Sequence, residues 1–463
     1  MFISKLSFED RIKSIRQDVD YVRQFSNACD LPVVANKRCG SWYVPPDVLS
    51  GFCYFKSTDG HTGQWAFNHR RLNLHLLPLI ERRGGCIVVD STHGSKRFSD
   101  ALSKTIPIWC AVINYLLFPL DEASHQVVLP PADILASEEV FAIRQKLLSI
   151  QESAHHLALD IPTLRAQLHQ PLMPHFVENP DMVDQTLIHN NGMHTLVCLM
   201  ASSNGSLHVG TPRALSKSLS SEMTSAYIRG AGDDEDNWAF GLQPSDLWLP
   251  YPPSTRLKVD GGRDYPGTAQ RAMNHESRDS NQSAAVQIGN LPLYIGRNQD
   301  CRPGEILQAQ TFDAMILCNE KPHMKPEVDV MADSSHHTKV LELKLREGKL
   351  GSRQLRSRLL LLLPFLSEIK GSYPSIIILD ETGNDLVVGV CLAVLCLFYE
   401  QEKFSRVPLG RNFDKDFIRK QLVTIVSSKH DIDPSRTTLQ SVHAFLMPKE
   451  GFASWMQGKG AGS

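Results

Sequence analysis

The sequence of 463 residues has no excess of charge of either sign, no paired cysteine motif and no long apolar run. Lys plus Arg number 48 and Asp plus Glu 50, a formal net charge of -2. No global positive field therefore draws the chain onto nucleic acid or an acidic membrane, and a polyanionic partner has to be met by a local basic patch. The 10 cysteines are scattered between Cys29 and Cys396 without one C-x-x-C. That excludes a disulfide scaffold and argues against a zinc ribbon or thioredoxin-type motif, and most of these thiols read as buried and reduced. The longest apolar run, Leu386 to Tyr399, has 14 residues, short of the roughly 20 that a membrane span needs. The N-terminal stretch is amphipathic, with acids and bases mixed, and lacks the uninterrupted apolar segment of a signal peptide. A soluble intracellular protein is expected, with no membrane partner and no obligatory protein partner. Its place is the cytoplasm, with the nucleus as the alternative.

What is present fits an α/β protein. A hydrophobic content of 42% and a charged content of 21% exclude wholesale disorder and fibrous designs. Periodicity predicts helices over 4–26, 72–80, 100–116, 137–154, 353–369 and 386–400. It predicts strands at Cys86 to Asp90, within 188–199, at Ala314 to Cys318 and at Ser375 to Leu379. Residues 31–63 read as loop-rich. Residues 252–285, rich in Pro, Gly, Ser, Asp and Arg, read as a linker. It would separate an N-terminal α/β domain of uncertain topology, 1–251, from a C-terminal α/β domain, 286–463.

Two strand–loop–helix segments are suited to anions, because the first N–H groups of a helix have no internal partner and its dipole favours negative charge. The first holds Ser91, Thr92, Gly94, Lys96 and Arg97. The second holds Thr382, Gly383, Asn384 and Asp385. Each also reads as an ordinary solvated or capped turn. The surroundings of the second segment, from Leu291-Pro-Leu-Tyr-Ile-Gly296 onward, resemble the dual-specificity phosphatase fold. Aligning on Gly383 puts Asp380 where that family has its nucleophilic Cys and Leu386 where it has its Arg. Without a thiolate there is no phosphocysteine chemistry, and without the Arg there is no fork for phosphoryl oxygens. Phosphatase architecture without phosphatase catalysis is expected.

Three further features bear on chemistry. Asp59 and His61 lie in a Gly turn and can supply a metal ligand or a base, although such turns are common at surfaces. Asp233 and Asp234 open the densest acidic run, a solvated loop or a set of hard oxygen ligands for Mg²⁺ beside phosphates. Between Lys339 and Arg358 seven bases face two acids, a local charge of +5. That makes Lys344, Arg346, Lys349, Arg353, Arg356 and Arg358, with Arg70 and Arg71 from the N-terminal half, the candidate RNA surface.

The blocks RCGSWYV, FKSTDGHTGQWAFNHRRLNLHLL, VVDSTHGSKRFSDALSKTIPIWCAVIN, YIRGAGDDEDNWAFGL, LDETGNDLVVGVCLAVLC and PSRTTLQSVHAFLM follow one another in this order. Together they resemble the initiator-tRNA ribosyl-phosphate transferases of fungi and plants, over about Phe25 to Met447. The resemblance implies transfer of ribosyl phosphate from 5-phosphoribosyl 1-diphosphate (PRPP) to the 2′-hydroxyl of adenosine 64 in the T-stem of the initiator methionine tRNA. Pyrophosphate is released, and that tRNA is kept out of elongation. Mg²⁺ is the expected cofactor. The site expected from the residues is Asp59, His61, Asp233 and Asp234 for catalysis and metal, and the two anion loops for the phosphates of PRPP. A salvage-type phosphoribosyltransferase and a non-catalytic phosphatase-like adaptor remain as alternatives.

Overall fold

Apolar side chains at Ile12, Ile15, Val19, Val22 and Phe25 recur at helical spacing and are buried, and the segment Lys5–Cys29 forms helix α1. The structure is a computed structural model. It describes residues 5–37, 39–58, 63–93, 96–157, 159–177, 192–202, 227–240, 242–248, 285–298, 312–319, 338–346, 348–369, 373–400, 403–405 and 413–447. The chain divides into two units. The first comprises Met1–Asn68, Asn73–His156 and Asp160–Arg263, and the second comprises His69–Leu72, Leu157–Leu159 and Asp264–Ser463. Apart from Ala285, the expected linker lies outside the described residues.

The first unit is built on a five-stranded sheet of β1 (Val33–Asn36), β2 (Leu49–Cys53), β3 (Gly85–Asp90), β4 (Leu172–Val177) and β5 (His194–Met200), in the order β2-β1-β3-β5-β4. All pairings are parallel. β3 and β5 are buried along their whole length, as expected of central strands covered on both faces. The apolar face of α1 packs with Val33, Ala35, Ile87, Val89, Val197 and Leu199 in one core cluster. Helices α2 (Leu76–Arg83), α3 (Ile106–Leu117), α4 (Ser137–His155) and α5 (Ile161–Gln167) complete the unit, with a short α6 (Glu235–Trp238). The helix expected over 100–116 begins as a π turn, Ala101–Thr105, before α3. Pro107 has no N–H to donate to the preceding turn, and the wider turn accommodates the missing bond.

The second unit repeats the parallel design. Strands β6 (Val286–Gln287), β7 (Leu293–Arg297), β8 (Ala314–Asn319), β9 (Lys339–Leu345) and β10 (Ile376–Asp380) order as β6-β7-β10-β8-β9. Only β6 runs antiparallel to its neighbour. The helix expected over 353–369 is α7 (Gly348–Arg358), a 3₁₀ turn Leu359–Leu361, and α8 (Leu362–Ser367). Pro364 cannot donate to the turn before it, so it tolerates only the first turn of a new helix. Helix α9 (Leu386–Phe398) follows β10, and all 13 of its residues are buried. It is covered by β10, by α7, and by α10 (Lys415–Ser428) and α11 (Arg436–Leu446). A short antiparallel pair, β11 (Tyr399–Glu400) and β12 (Lys403–Phe404), follows α9.

Candidate active site

In a parallel sheet, ligands are met beyond the carboxyl ends of the strands, where successive connections leave in opposite directions. In the first unit that point lies at β3. The chain leaves β1 toward β2 on one side, and β4 and β5 lie on the other. Beyond β3, the loop beginning at Ser91 is overlaid by a second segment, residues 227–235. The two blocks that carry these segments are far apart in sequence and meet here.

Glycine makes the approach feasible. A Cβ on Gly230 would lie 2.4 Å from the Thr92 carbonyl oxygen and 2.5 Å from the His93 nitrogen, and the residue has φ +64°. Arg229 Nε donates to the Ser202 carbonyl at 3.4 Å, and Arg229 Nη2 donates to the Lys96 carbonyl. Asp233 is 6% exposed. Its Oδ2 accepts from the His93 backbone N–H at 3.3 Å and faces His93 Nδ1 at 2.8 Å. Its Oδ1 accepts from the Asp234 N–H at 3.1 Å. Trp238 Nε1 donates to its carbonyl at 2.9 Å. Beneath the loop lies a buried hydroxyl network. Ser91 Oγ and Ser202 Oγ are 2.7 Å apart, Ser202 Oγ donates to Asp18 at 2.9 Å, and Tyr227 donates to Asp18 at 2.8 Å. Burial raises the Asp18 carboxyl from 3.8 to about 7, against the opposing pull of the Tyr227 and Ser202 hydrogen bonds and the Arg229 charge.

These positions revise the expected ligand set. Ser91 and Thr92 are buried, at 0% and 3% exposure. The Ser91 hydroxyl is engaged by Ser202, and Thr92 Oγ1 points to Asp233 at 3.5 Å. Neither hydroxyl is turned out to a phosphate. Lys96 and Arg97 do reach the surface, Lys96 paired to Asp100 at 3.0 Å and Arg97 paired to the exposed Asp133. The Arg97–Asp133 pair is open to solvent and screened by it, so an arriving polyanion can take over the guanidinium, whereas Lys96 is held by the buried Asp100, which Lys104 also reaches at 3.3 Å. Asp233 is not an open metal ligand, because both of its oxygens are engaged inside the site. Asp234 differs: its carboxylate is 62% exposed and lies 3.9 Å from His93 Nδ1. Mg²⁺ bound with substrate phosphates needs only one or two protein carboxylates, and Asp234 fits that requirement. Gly94, Asp59 and His61 lie outside the described residues. Their neighbour Thr58 donates to the buried Asp100 at 2.8 Å.

His93 was not singled out by its sequence context. It stands between two expected phosphate ligands, and its signal, a histidine three residues past the end of a buried central strand, is faint until Asp233 is seen beside it.

The loop of the second unit is already filled. Asp380 is 3% exposed. Its Oδ1 accepts from Thr382 N at 2.8 Å, from Thr382 Oγ1 at 3.3 Å and from Gly383 N, and its Oδ2 accepts from Val387 N at 3.3 Å. Burial raises this carboxyl, while the same donors act to lower it. Asn384 accepts from Thr382 Oγ1 at 2.9 Å and, through its carbonyl, from Asp433 N at 2.8 Å. Asp385 accepts from Ser435 N at 2.9 Å. Thr382, Gly383, Asn384 and Asp385, expected to cradle a phosphate, thus stand around an internal carboxylate. Gly383, at φ +69°, leaves room only for Arg297, whose Cγ would be 2.7 Å from a Cβ there.

The basic residues sort by partner. Arg71 is ion-paired with Asp433 and is 14% exposed. Arg70 is half-buried. Lys344 lies 3.8 Å from Glu342, and the Arg346 N–H is held by Gln354. Lys349, Arg353, Arg356 and Arg358 on α7 are exposed. Lys349, Arg353 and Arg356 are spaced to share one helix face.

Two family models match the chain. The model described as the Rit1 N-terminal domain covers residues 2–257, and that described as the Rit1 DUSP-like domain covers residues 339–446. The chain belongs to the Rit1 family. Among curated Rit1 relatives, a Saccharomyces cerevisiae protein named tRNA A64-2′-O-ribosylphosphate transferase is 28% identical, over 95% of this chain and 92% of its own length. An uncharacterized protein of Schizosaccharomyces pombe is 29% identical, over 96% of this chain and 95% of its own length. Human DUSP28 aligns to 35% of this chain and 93% of its own, at 11% identity and a TM-score of 0.26. The match to the Rit1 DUSP-like domain makes residues 339–446 of the second unit phosphatase-like in architecture. Among the described residues no helix is long and apolar enough to cross a membrane.

Two outcomes are expected. Aryl phosphates should not be hydrolysed above background, and Asp380→Cys should not restore turnover, because Leu386 supplies no guanidinium. A rate abolished by Asp380→Ala would overturn this. The second concerns Asp18. A carboxyl raised in the folded state leaves the protein most stable when protonated, and that advantage is lost as pH rises from about 4 through 7. Between pH 5 and pH 8 this group should lower unfolding free energy by about 2–3 kcal/mol. Denaturant unfolding of Asp18→Asn should lack that decline; an unchanged pH dependence would show that Asp18 titrates normally.

Proposed function

We propose that this chain transfers 5-phosphoribosyl from PRPP to the 2′-hydroxyl of adenosine 64 of the initiator methionine tRNA, releasing pyrophosphate. The observation that carries the reading is similarity over nearly the whole length of a relative named for that transfer, joined to a site of the right chemistry in the first unit. Leaving pyrophosphate gathers negative charge, and the sugar becomes cation-like. Lys96 and Arg97, at the surface of the β3 loop, are placed to draw in donor phosphates. Asp234 is the described carboxylate that would hold Mg²⁺ against the diphosphate, where the ion would neutralise leaving-group charge. The closed loop at Asp380 speaks against an adaptor that reads phosphate through the second unit.

The acceptor duplex presents its 2′-hydroxyls in a shallow minor groove that proteins meet by shape and backbone contacts. The exposed α7 cations suit phosphate contacts of that kind. They position the RNA without reading its sequence.

PRPP labelled in its ribose 5-phosphate should deliver label to initiator tRNA and not to free bases. Arg353→Ala with Arg356→Ala should weaken initiator and elongator tRNA binding alike. It should also flatten the dependence of log affinity on log salt by roughly one to two units, with PRPP affinity unchanged. Label on a free base, or no turnover at all, would contradict the reading. Unchanged tRNA binding at low and moderate salt would move the RNA path away from α7.

A further inference from the structure

We infer that His93, held by Asp233, is the general base that takes the proton of the acceptor hydroxyl. The inference rests on the transfer proposed above and assigns its proton-transfer step to one pair of residues.

The geometry has four parts. His93 follows the carboxyl end of the central strand β3, where a parallel sheet presents ligands. Its side chain is 65% exposed, while Asp233 beside it is 6% exposed. An ionised carboxylate only accepts hydrogen bonds. The 2.8 Å contact between Asp233 Oδ2 and His93 Nδ1 therefore places the proton on Nδ1 and leaves the lone pair on Nε2. Nε2 has no hydrogen-bond partner among the described residues. Asp233 is itself fixed from three sides, by the His93 and Asp234 N–H groups and, through its carbonyl, by the Trp238 indole. Gly230 lets the segment carrying it lie against the Thr92–His93 backbone. A buried carboxylate orienting an imidazole whose far nitrogen faces solvent is an arrangement for accepting a proton from a bound hydroxyl.

The step balances as a displacement. The acceptor 2′-oxygen forms a bond to C1 of the phosphoribosyl group, and its proton passes to His93 Nε2. The bond from C1 to the diphosphate oxygen breaks, and its electron pair leaves with pyrophosphate. The imidazolium is stabilised by the Asp233 carboxylate beside it. Asp233 is thus a positioning residue, and Asp234, 3.9 Å from His93 Nδ1, with Lys96 and Arg97, three and four residues along the chain from His93, serve the leaving group while His93 serves the acceptor.

The test is single-turnover transfer from labelled PRPP to initiator tRNA, measured with the full chain. His93→Gln should lose roughly 10²–10⁴-fold in rate, with PRPP and tRNA affinities within about twofold of wild type. His93→Gly should regain rate on addition of imidazole. Adding Asp233→Asn to His93→Gln should cost little more, because the two act as a unit. Wild-type rate in His93→Gln, or no rescue of His93→Gly by imidazole, would overturn the dyad while leaving the transfer reading standing. No labelled tRNA from wild type would overturn the transfer reading itself, and the dyad with it.

Discussion

The Asp233 carboxylate joins segments 140 residues apart, and the shape of the first unit's site depends on that join. A buried charge without partners costs several kcal/mol, so Asp233 is stable only where the His93 N–H, its ring and the Asp234 N–H converge. That requirement fixes the course of residues 227–235 over the β3 loop. It also explains the glycines: any side chain at Gly230 would push the segment off the Thr92 carbonyl and pull Asp233 out of reach. The buried chain from Ser91 through Ser202 to Asp18 and Tyr227 anchors the same segment to α1 from below.

The two units carry the same device with opposite outcomes. In both, a central parallel strand ends in a Gly-containing loop that opens toward a helix. In the first, the carboxylate that meets the loop comes from a distant segment and leaves His93, Lys96 and Arg97 at the surface. In the second, the carboxylate is the last residue of the strand. Asp380 turns back into its own loop and takes the N–H groups of Thr382, Gly383 and Val387. An anion-binding cradle satisfied from within is a rigid structural turn, and among its described residues the second unit also presents the exposed bases of α7.

Much of this was legible from residue order. Continuous apolar runs gave away β3, β8, β10 and α9, whose side chains are buried on all sides. The phosphatase-like character of the second unit was legible in its strand–loop–helix order. The strands β1 and β2 were not, because Val33–Asn36 and Leu49–Cys53 are short and sit among turn residues in a stretch that reads as loop. β4 carries Pro174 within it, and β9 alternates charged residues with leucines over Leu341–Leu345 at a sheet edge, so neither shows the pattern of a buried strand. Asp233 was legible as an acid of interest but not in its role, since an acidic run has no signature that separates a metal ligand from a group turned inward. His93 was hidden for the same reason: its chemistry lies in a partner that only the fold brings near.

Donor binding is proposed at the β3 loop and not at the phosphatase-like loop. Hydrogen exchange of the full chain, with and without PRPP and Mg²⁺, tests that division most directly. Amides of residues 91–93 and 227–235 should gain protection when the donor binds, and those of 380–387 should exchange as before. Protection confined to residues 380–387 would contradict the account, because it would mean that the Asp380 carboxylate gives way to phosphate and that the donor site lies in the second unit.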